Sequence, residues 1–212
     1  MTVTFAQLQS RVSKRLLDTS NTAVALSDVQ DAINDAIKAW KYKRFWFNEG
    51  YSTVTLVASD PIIYLTSITD FLIELPGIGF TIIYNNCRYK LTKKRPDFYD
   101  NENTQATGRP YIYTWRGGQY LCYFYPDQAY TLGVKYLKEY TALSGNADYN
   151  DFTNNADDLI MYDALAKLHG EIRQDEKMES YYTARTENEY NRLLSVTRKF
   201  TASGSLDVDT IL

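Results

Sequence analysis

The sequence has few of the residues that mark metal-binding or membrane proteins. It holds one histidine, and its two cysteines, Cys87 and Cys122, are 35 positions apart in no CxxC or Cys/His cluster, which argues against a zinc site. It contains no apolar run of the roughly 18 to 20 residues that a membrane helix needs, and it does not start like a signal peptide. We expect a protein that is made in a cytoplasm, contacts no membrane and keeps both cysteines as buried thiols.

Motifs of catalysis are also lacking. The sequence has no phosphate-binding GxxxxGKS or GxxxxGKT loop, no GxGxxG, no HExxH and no calcium loop. His169 lies on the apolar stripe of a predicted helix, which favours a structural histidine over a catalytic base. Glu49, Asp60, Asp70 and Glu74 could supply an acid and base pair for glycoside cleavage, but any acidic domain offers as many. We expect no enzyme, no metal and no cofactor.

Charge and aromatic content narrow the choice further. A net charge of -3 and a pI near 5.3 give no overall electrostatic reason to bind nucleic acid. The 212 residues suffice for one large domain or two small ones with a sizeable core. The 19 tyrosines, 9 phenylalanines and 3 tryptophans exceed what a core needs and indicate half-buried surfaces such as a sheet or an interface. The tyrosines are spaced as packing faces rather than gathered around acids.

Apolar spacing predicts helices at both ends of the chain. Residues 4–18 form the first helix, and the second begins at Ser27, which forms a capping box with Gln30, and ends near Phe47. Helical spacing returns after Asn155. We interpret Asp157-Asp158 as acids that stabilise the N-terminus of this helix rather than as a metal site. Residues 1–47 carry seven basic and four acidic residues, whereas residues 148–212 carry seven and thirteen. The resulting charges of +3 and -6 favour docking of the two segments, or of one subunit on the next.

The middle of the chain has the period of two that is typical of strands. Between Tyr51 and about Tyr140, apolar and polar residues alternate and turn residues separate the runs. The clearest hairpin is Trp115 to Tyr120, because Gly117-Gly118 supplies positive φ angles. Residues 95–107 are predicted to form an irregular exposed loop. We expect half-buried antiparallel strands.

Together these patterns predict an α+β fold. A discontinuous four-helix bundle from both chain ends carries an inserted antiparallel β domain, because the apolar stripes of the terminal helices must be buried. The helical domain comprises 1–47 and 148–200, the β domain 48–147, and a flexible tail 201–212.

Three features could bind a partner. A basic run beside aromatic residues could contact nucleic acid or be a solvated loop, and comprises Lys90, Lys93, Lys94 and Arg95 with Tyr89, Phe98 and Tyr99. Exposed tyrosines and Trp115 could stack on sugar rings, although a core or an oligomer interface uses the same residues. The segment Leu206-Asp207-Val208-Asp209 alternates like a strand and could add to a neighbour's sheet edge or stay disordered.

Short motifs follow one another along the chain. They are Trp40 with Phe45-Trp46-Phe47, Thr53 to Leu56, Thr107-Gly108-Arg109-Pro110 before Tyr111-Ile112-Tyr113, Leu121 to Pro126, Tyr130-Thr131-Leu132, Val134-Lys135-Tyr136, Leu159 with Tyr162 and Ala164-Leu165-Ala166, and Asp175 with Tyr181-Tyr182. This order, over about residues 4–195, resembles the head-to-tail adaptor proteins of tailed bacteriophages, nearest to the adaptor or tail-tubular type of short-tailed phages. The stretch 78–101 looks longer than that family needs, and the tail beyond Ser205 is not matched.

The resemblance implies a structural role in the virion neck, in a protein made in the bacterial cytoplasm. Such proteins form a ring, usually a dodecamer, that joins the portal protein to the tail nozzle protein and extends the DNA channel, with transient contact to DNA that is not sequence-specific. We assign the portal or neighbour interface to four tail residues, Leu206, Val208, Ile211 and Leu212. We assign a tail-side or DNA-facing loop to four cations, Lys93, Lys94, Arg95 and Arg116. The alternative is a carbohydrate- or receptor-binding virion module.

Overall fold

A computed structural model describes residues 2–101 and 106–201 and divides the chain into two compact units. The helical unit combines Met1–Asn48 with Tyr140–Leu212, and the β unit is Glu49–Glu139. Helices and mainly antiparallel sheets are therefore segregated along the chain, as expected of an α+β protein.

Six α-helices lie in the described part of the chain, two of them short. In chain order they are α1 Phe5–Arg15, α2 Leu26–Trp40, α3 Pro96–Asn101, α4 Asp151–Asn155, α5 Asp157–Lys167 and α6 Glu176–Thr201. A π-helical segment, Leu168–Arg173, follows α5 directly. The predicted helices at both chain ends are present. The prediction of an irregular loop over 95–107 is wrong for Pro96–Asn101, which form α3.

The start of α2 differs from the prediction. Its N-cap is Ala25, which makes no side-chain cap, so the predicted capping box of Ser27 is wrong. The loop before α2 is organised by Asp18, whose carboxylate accepts N–H bonds from Thr22, Ala23 and Val24. These bonds lower the pKa of Asp18 to about 2. Because the loop is fixed in this way, the chain enters the helix before it reaches the serine.

Helix α5 is the centre of the helical unit. It packs against α1, α2 and α6, and residues on every side of it are buried. Its first-turn acids Asp157 and Asp158 both accept hydrogen bonds from Arg11 of α1, so opposite charges join the two ends of the chain. The arrangement of the helices as a four-helix bundle stays a prediction.

The β unit contains two main sheets. Its strands are β1 Glu49–Leu56, β2 Ile62–Ile63, β3 Phe71–Glu74, β4 Phe80–Tyr84, β5 Cys87–Lys90, β6 Thr92–Lys93, β7 Thr107–Gly108, β8 Ile112–Arg116, β9 Gln119–Tyr123, β10 Tyr125–Pro126 and β11 Tyr130–Lys138. The larger sheet has the order β1-β11-β4-β5, and β3 also pairs with β11; the smaller has the order β2-β9-β8-β6. The pairs β6–β8 and β7–β10 are parallel, which corrects the expectation of antiparallel strands throughout.

Aromatic side chains fill the space between the two sheets. Phe80 of β4 packs against Tyr113 of β8 and Tyr120 of β9, with ring centroids 4.6 Å and 5.0 Å apart. The hairpin β8–β9 is the one predicted, and Gly117 and Gly118 turn it with φ angles of 57° and 84°. The core between the sheets thus positions the side chains of β8 and β9, where the candidate site lies.

Candidate functional site

The structure places two of the predicted cations on the smaller sheet and two in the segment that follows β6, so they do not form one loop. Lys93 is in β6, which runs parallel to β8, and Arg116 is the last residue of β8. Lys94 and Arg95 lie between β6 and α3, both exposed, and the Lys94 ammonium is 5.6 Å from the Phe98 ring centroid. Lys93 and Arg116 thus belong to the smaller sheet, and Lys94 and Arg95 follow it directly in the chain. The assignment of these four residues to a DNA-facing loop stays a prediction.

Lys93 is held by a buried carboxylate. Its ammonium forms an ion pair with Glu74, which also accepts a hydrogen bond from the Tyr120 hydroxyl. Glu74 is 3% exposed and lies on β3 of the larger sheet, whereas both partners are on the smaller sheet. Burial and then Glu74 raise the pKa of Tyr120, and the same two causes raise the pKa of Tyr113 to about 12. This Glu74 cluster therefore fastens the two sheets to each other.

Tyrosine hydroxyls also donate hydrogen bonds to Asp60 and Asp70, two of the candidate acid and base residues. Tyr64 donates to Asp60 at 3.1 Å, and Tyr136 donates to Asp70 at 2.8 Å. Burial and the bond to Asp70 raise the pKa of Tyr136 to about 12. Most tyrosines were expected to form packing faces, and the bonds that some of them make to carboxylates were not predicted. Alternation along a strand reports which face is buried, and it carries no signal for a carboxylate partner 66 positions away.

An open hollow of about 370 Å³ lies beside the β8–β9 hairpin. Trp115 and Tyr64 border it, and their side chains are 46% and 47% exposed. The Trp115 ring packs against Tyr120, with centroids 4.5 Å apart, so it stands fixed at the rim. The hollow is mostly apolar, with Thr66 and Gln119 among its polar residues. A flat aromatic ring beside an apolar hollow suits an aromatic, aliphatic or sugar surface.

His169 is buried in the helical unit, in the π-helical segment. It is 4% exposed and stacks on Tyr182 with ring centroids 5.4 Å apart. Within the described part of the chain, neither of its ring nitrogens has a hydrogen-bond partner. Burial and the charge of Arg173 lower the pKa of His169, against the opposing effect of Asp175. His169 therefore makes a ring contact but no described hydrogen bond, and its lowered pKa favours the neutral form.

We expect His169 to make stability fall with decreasing pH. The unfolded chain binds a proton near pH 6.5, the ordinary histidine pKa, whereas the folded chain binds it only at lower pH. Stability from this group is therefore full above pH 6.5 and is lost as the pH falls toward the folded pKa. His169→Phe keeps a ring against Tyr182 and should flatten the Tm profile below pH 6.5. Equal profiles for both proteins would contradict the assignment.

Other sites of the prediction can be stated briefly. The four tail residues Leu206, Val208, Ile211 and Leu212 lie outside the described residues. Between residues 2 and 101 and between 106 and 201, no group of three or more His, Cys, Asp and Glu side chains could hold a metal ion. Among the described helices, none is long and apolar enough to cross a membrane.

Of the four candidate acids, Asp60, Asp70 and Glu74 each accept a hydrogen bond from a tyrosine hydroxyl. A family model described as SU10 adaptor protein matches residues 3–208, and the chain belongs to this family. It is a phage structural adaptor, and the resemblance to phage head-to-tail adaptors is confirmed. A comparison with curated proteins gave no match.

Proposed function

We propose that the chain forms a ring in the virion neck that joins the portal protein to the tail nozzle protein and extends the DNA channel. The observation that carries this proposal is the family match, which covers residues 3–208 and thus both units. On this proposal the protein works by binding and not by catalysis. The ring has about twelve copies, as the resemblance implies.

The division of the chain supports separate contacts. We propose that a helical domain, 1–47 with 148–200, contacts the portal, and that a β domain, 48–147, faces outward or toward the tail. The tail 201–212 contacts the portal or a neighbouring copy. Exposed large apolar side chains in the helical unit, such as Leu17 at 89% and Phe200 at 69%, suit coverage by partners.

The charge of the chain suits a channel through which DNA passes. A net charge of -3 disfavours tight binding of phosphates, so DNA is not retained. We assign transient contacts without sequence specificity to Lys93, Lys94, Arg95 and Arg116, and the ion pair with Glu74 partly neutralises the first of them.

Mass measurement by light scattering, with and without the portal protein, tests the proposal directly. We expect the adaptor to form a ring-sized complex on the portal, because the portal brings copies side by side. An isolated monomer is compatible with portal-templated assembly. A monomer that also fails to associate with the portal would reject the proposed function.

Deletion of residues 203–212 tests the role of the tail. Strand addition contributes main-chain hydrogen bonds of about 1 kcal/mol each, so we expect co-sedimentation with the portal to fall roughly tenfold. A length-matched control replaces Leu206, Val208, Ile211 and Leu212 with serine, which removes the apolar contacts alone. Unchanged association of the deleted protein would reject the tail contact.

The hollow beside Trp115 favours a second candidate, a carbohydrate- or receptor-binding virion module. The exposed Trp115 ring at its rim could stack on a sugar. Binding on a glycan array that is lost in Trp115→Ala would favour this candidate, since an adaptor is expected to bind no glycan.

A further inference from the structure

Strand β5 is an open edge of the larger sheet. In the described part of the chain it pairs with β4 alone, and all four of its side chains are exposed. Asn85 and Asn86 close the β4–β5 hairpin with φ of 48° and 59°, as in a two-residue turn. Counted from this turn, alternate residue pairs exchange main-chain hydrogen bonds, so the main-chain groups of Arg88 and Lys90 point away from β4. An incoming strand would find donors and acceptors there.

The outer face of this sheet is cationic beside the open edge. Arg88 and Lys90 of β5 lie opposite Ile83 and Thr81 of β4. Together with Lys135 of β11 they border a hollow of about 230 Å³. The described lining of this hollow includes no acidic residue; it consists of Tyr51, Ile78, Thr81, Ile83, Arg88, Lys90 and Lys135. An acidic partner would therefore meet three cations without a competing carboxylate in the lining.

The other face of β5 carries uncharged side chains. Cys87 and Tyr89 lie opposite Tyr84 and Ile82, and Ile82 belongs to the core between the sheets. The Arg109 guanidinium is stacked on the Tyr89 ring, 3.9 Å from its centroid. A strand added at this edge would extend the apolar face with apolar side chains and the cationic face with acidic ones.

A segment of this chain has that alternation. Leu206 and Val208 alternate with Asp207 and Asp209, outside the described residues and after the end of α6. Placed beside β5 with its two acids on the face of Arg88 and Lys90, the segment puts its apolar residues beside Cys87 and Tyr89. DNA phosphates could meet the cations, but DNA would use neither the open main-chain groups nor the apolar face.

We propose that residues 206–209 of a second copy of this chain add as a strand to β5. The proposal deepens the proposed function and rests on it, because the ring brings neighbouring copies together. The tail then binds a neighbouring adaptor subunit. The edge supplies main-chain hydrogen bonds, and the two faces of β5 set the side on which each tail residue lies.

The exposed thiol of Cys87 allows a test of this alternation. Cys122 is buried, which raises the pKa of its thiol to about 12, so it does not interfere. Single variants Leu206→Cys, Val208→Cys, Asp207→Cys and Asp209→Cys are made in the full chain, assembled on the portal and mildly oxidised. Non-reducing electrophoresis and peptide mass spectrometry then identify disulfides to Cys87.

We expect whichever of Leu206→Cys and Val208→Cys lies directly opposite Cys87 to form a disulfide between subunits, at least about tenfold more than Asp207→Cys and Asp209→Cys. The double variant Arg88→Glu with Lys90→Glu should lower the crosslinked fraction of that variant about tenfold. Adding Asp207→Lys and Asp209→Lys to that protein should restore it. Cys87→Ser is the control that abolishes the product.

Several outcomes would overturn the inference while leaving the proposed function intact. A ring that assembles on the portal but forms no such disulfide, or forms it equally at all four positions, means that the tail does not pair with β5. A disulfide within one chain means that the occupant is not a second copy. Loss of oligonucleotide binding in Lys135→Glu, without the crosslink, would assign the cationic face to DNA. Failure of the ring itself would instead count against the proposed function.

Discussion

Replacement of Phe152 by alanine is expected to lower the free energy of unfolding of the helical unit by about 3 to 5 kcal/mol. Phe152 is fully buried in α4, and its ring meets Phe47 and Tyr140 edge to face, with centroids 5.2 Å and 5.1 Å apart. The truncation leaves a cavity among rings that come from both ends of the chain. Because these rings hold one another in place, the cavity cannot collapse cheaply.

The measurement is urea unfolding followed by tryptophan emission in a Trp115→Phe background. This leaves Trp40 and Trp46, both in the helical unit, as the reporters. Tyr149→Ala is the matched control, because Tyr149 is 59% exposed and its removal should change stability by less than about 0.5 kcal/mol. A loss below about 1 kcal/mol for Phe152→Ala would contradict the described packing.

Some elements could be predicted from short-range patterns in the sequence. In β11 the alternating residues Tyr130, Leu132, Val134 and Tyr136 are buried as a period of two predicts, although Gly133 and Leu137 of the other face are buried as well. The β8–β9 hairpin could be predicted because two adjacent glycines at a turn permit positive φ. These signals lie within a few residues of one another, so no knowledge of distant partners was needed.

Elements that are set by distant parts of the chain were predicted less well. Helix α5 is buried on all sides, so a single apolar stripe did not describe it. Cys87 was expected to be buried, but β5 lies at a sheet edge and the thiol is exposed. Its strand-like neighbours show that it is in a strand, and they do not show whether another strand covers it.

The candidate site shows the same division. The basic run around Lys93 was recognised, but its partner Glu74 is 19 residues away and belongs to the other sheet. Glu74 was recognised as a carboxylate that could take part in acid and base chemistry, whereas its hydrogen bonds go to Lys93 and Tyr120. The partners of a buried carboxylate depend on how the two sheets pack, and the residues near it in the sequence do not reveal them.

Replacement of Glu74 by alanine is expected to destabilise the β unit by about 1 to 3 kcal/mol. The change leaves the buried Tyr120 hydroxyl without its acceptor and removes the ion pair of Lys93. The estimate is below that for a fully buried ion pair, because the Lys93 side chain is 49% exposed and water screens it. In a background with Trp40→Phe and Trp46→Phe, emission from Trp115, which packs on Tyr120, reports unfolding of this unit.

A double-mutant cycle separates the contact from general destabilisation. Tyr120→Phe removes the hydroxyl alone, so combining it with Glu74→Ala should cost less than the sum of the single changes, with a coupling of about 0.5 to 3 kcal/mol. Lys93→Ala should lose more stability than Lys94→Ala. Lys93 forms the ion pair with Glu74, whereas Lys94 is exposed and its ammonium lies over the Phe98 ring. Additive free energies in the cycle, together with equal effects of the two lysine variants, would show that Glu74 does not fasten the sheets.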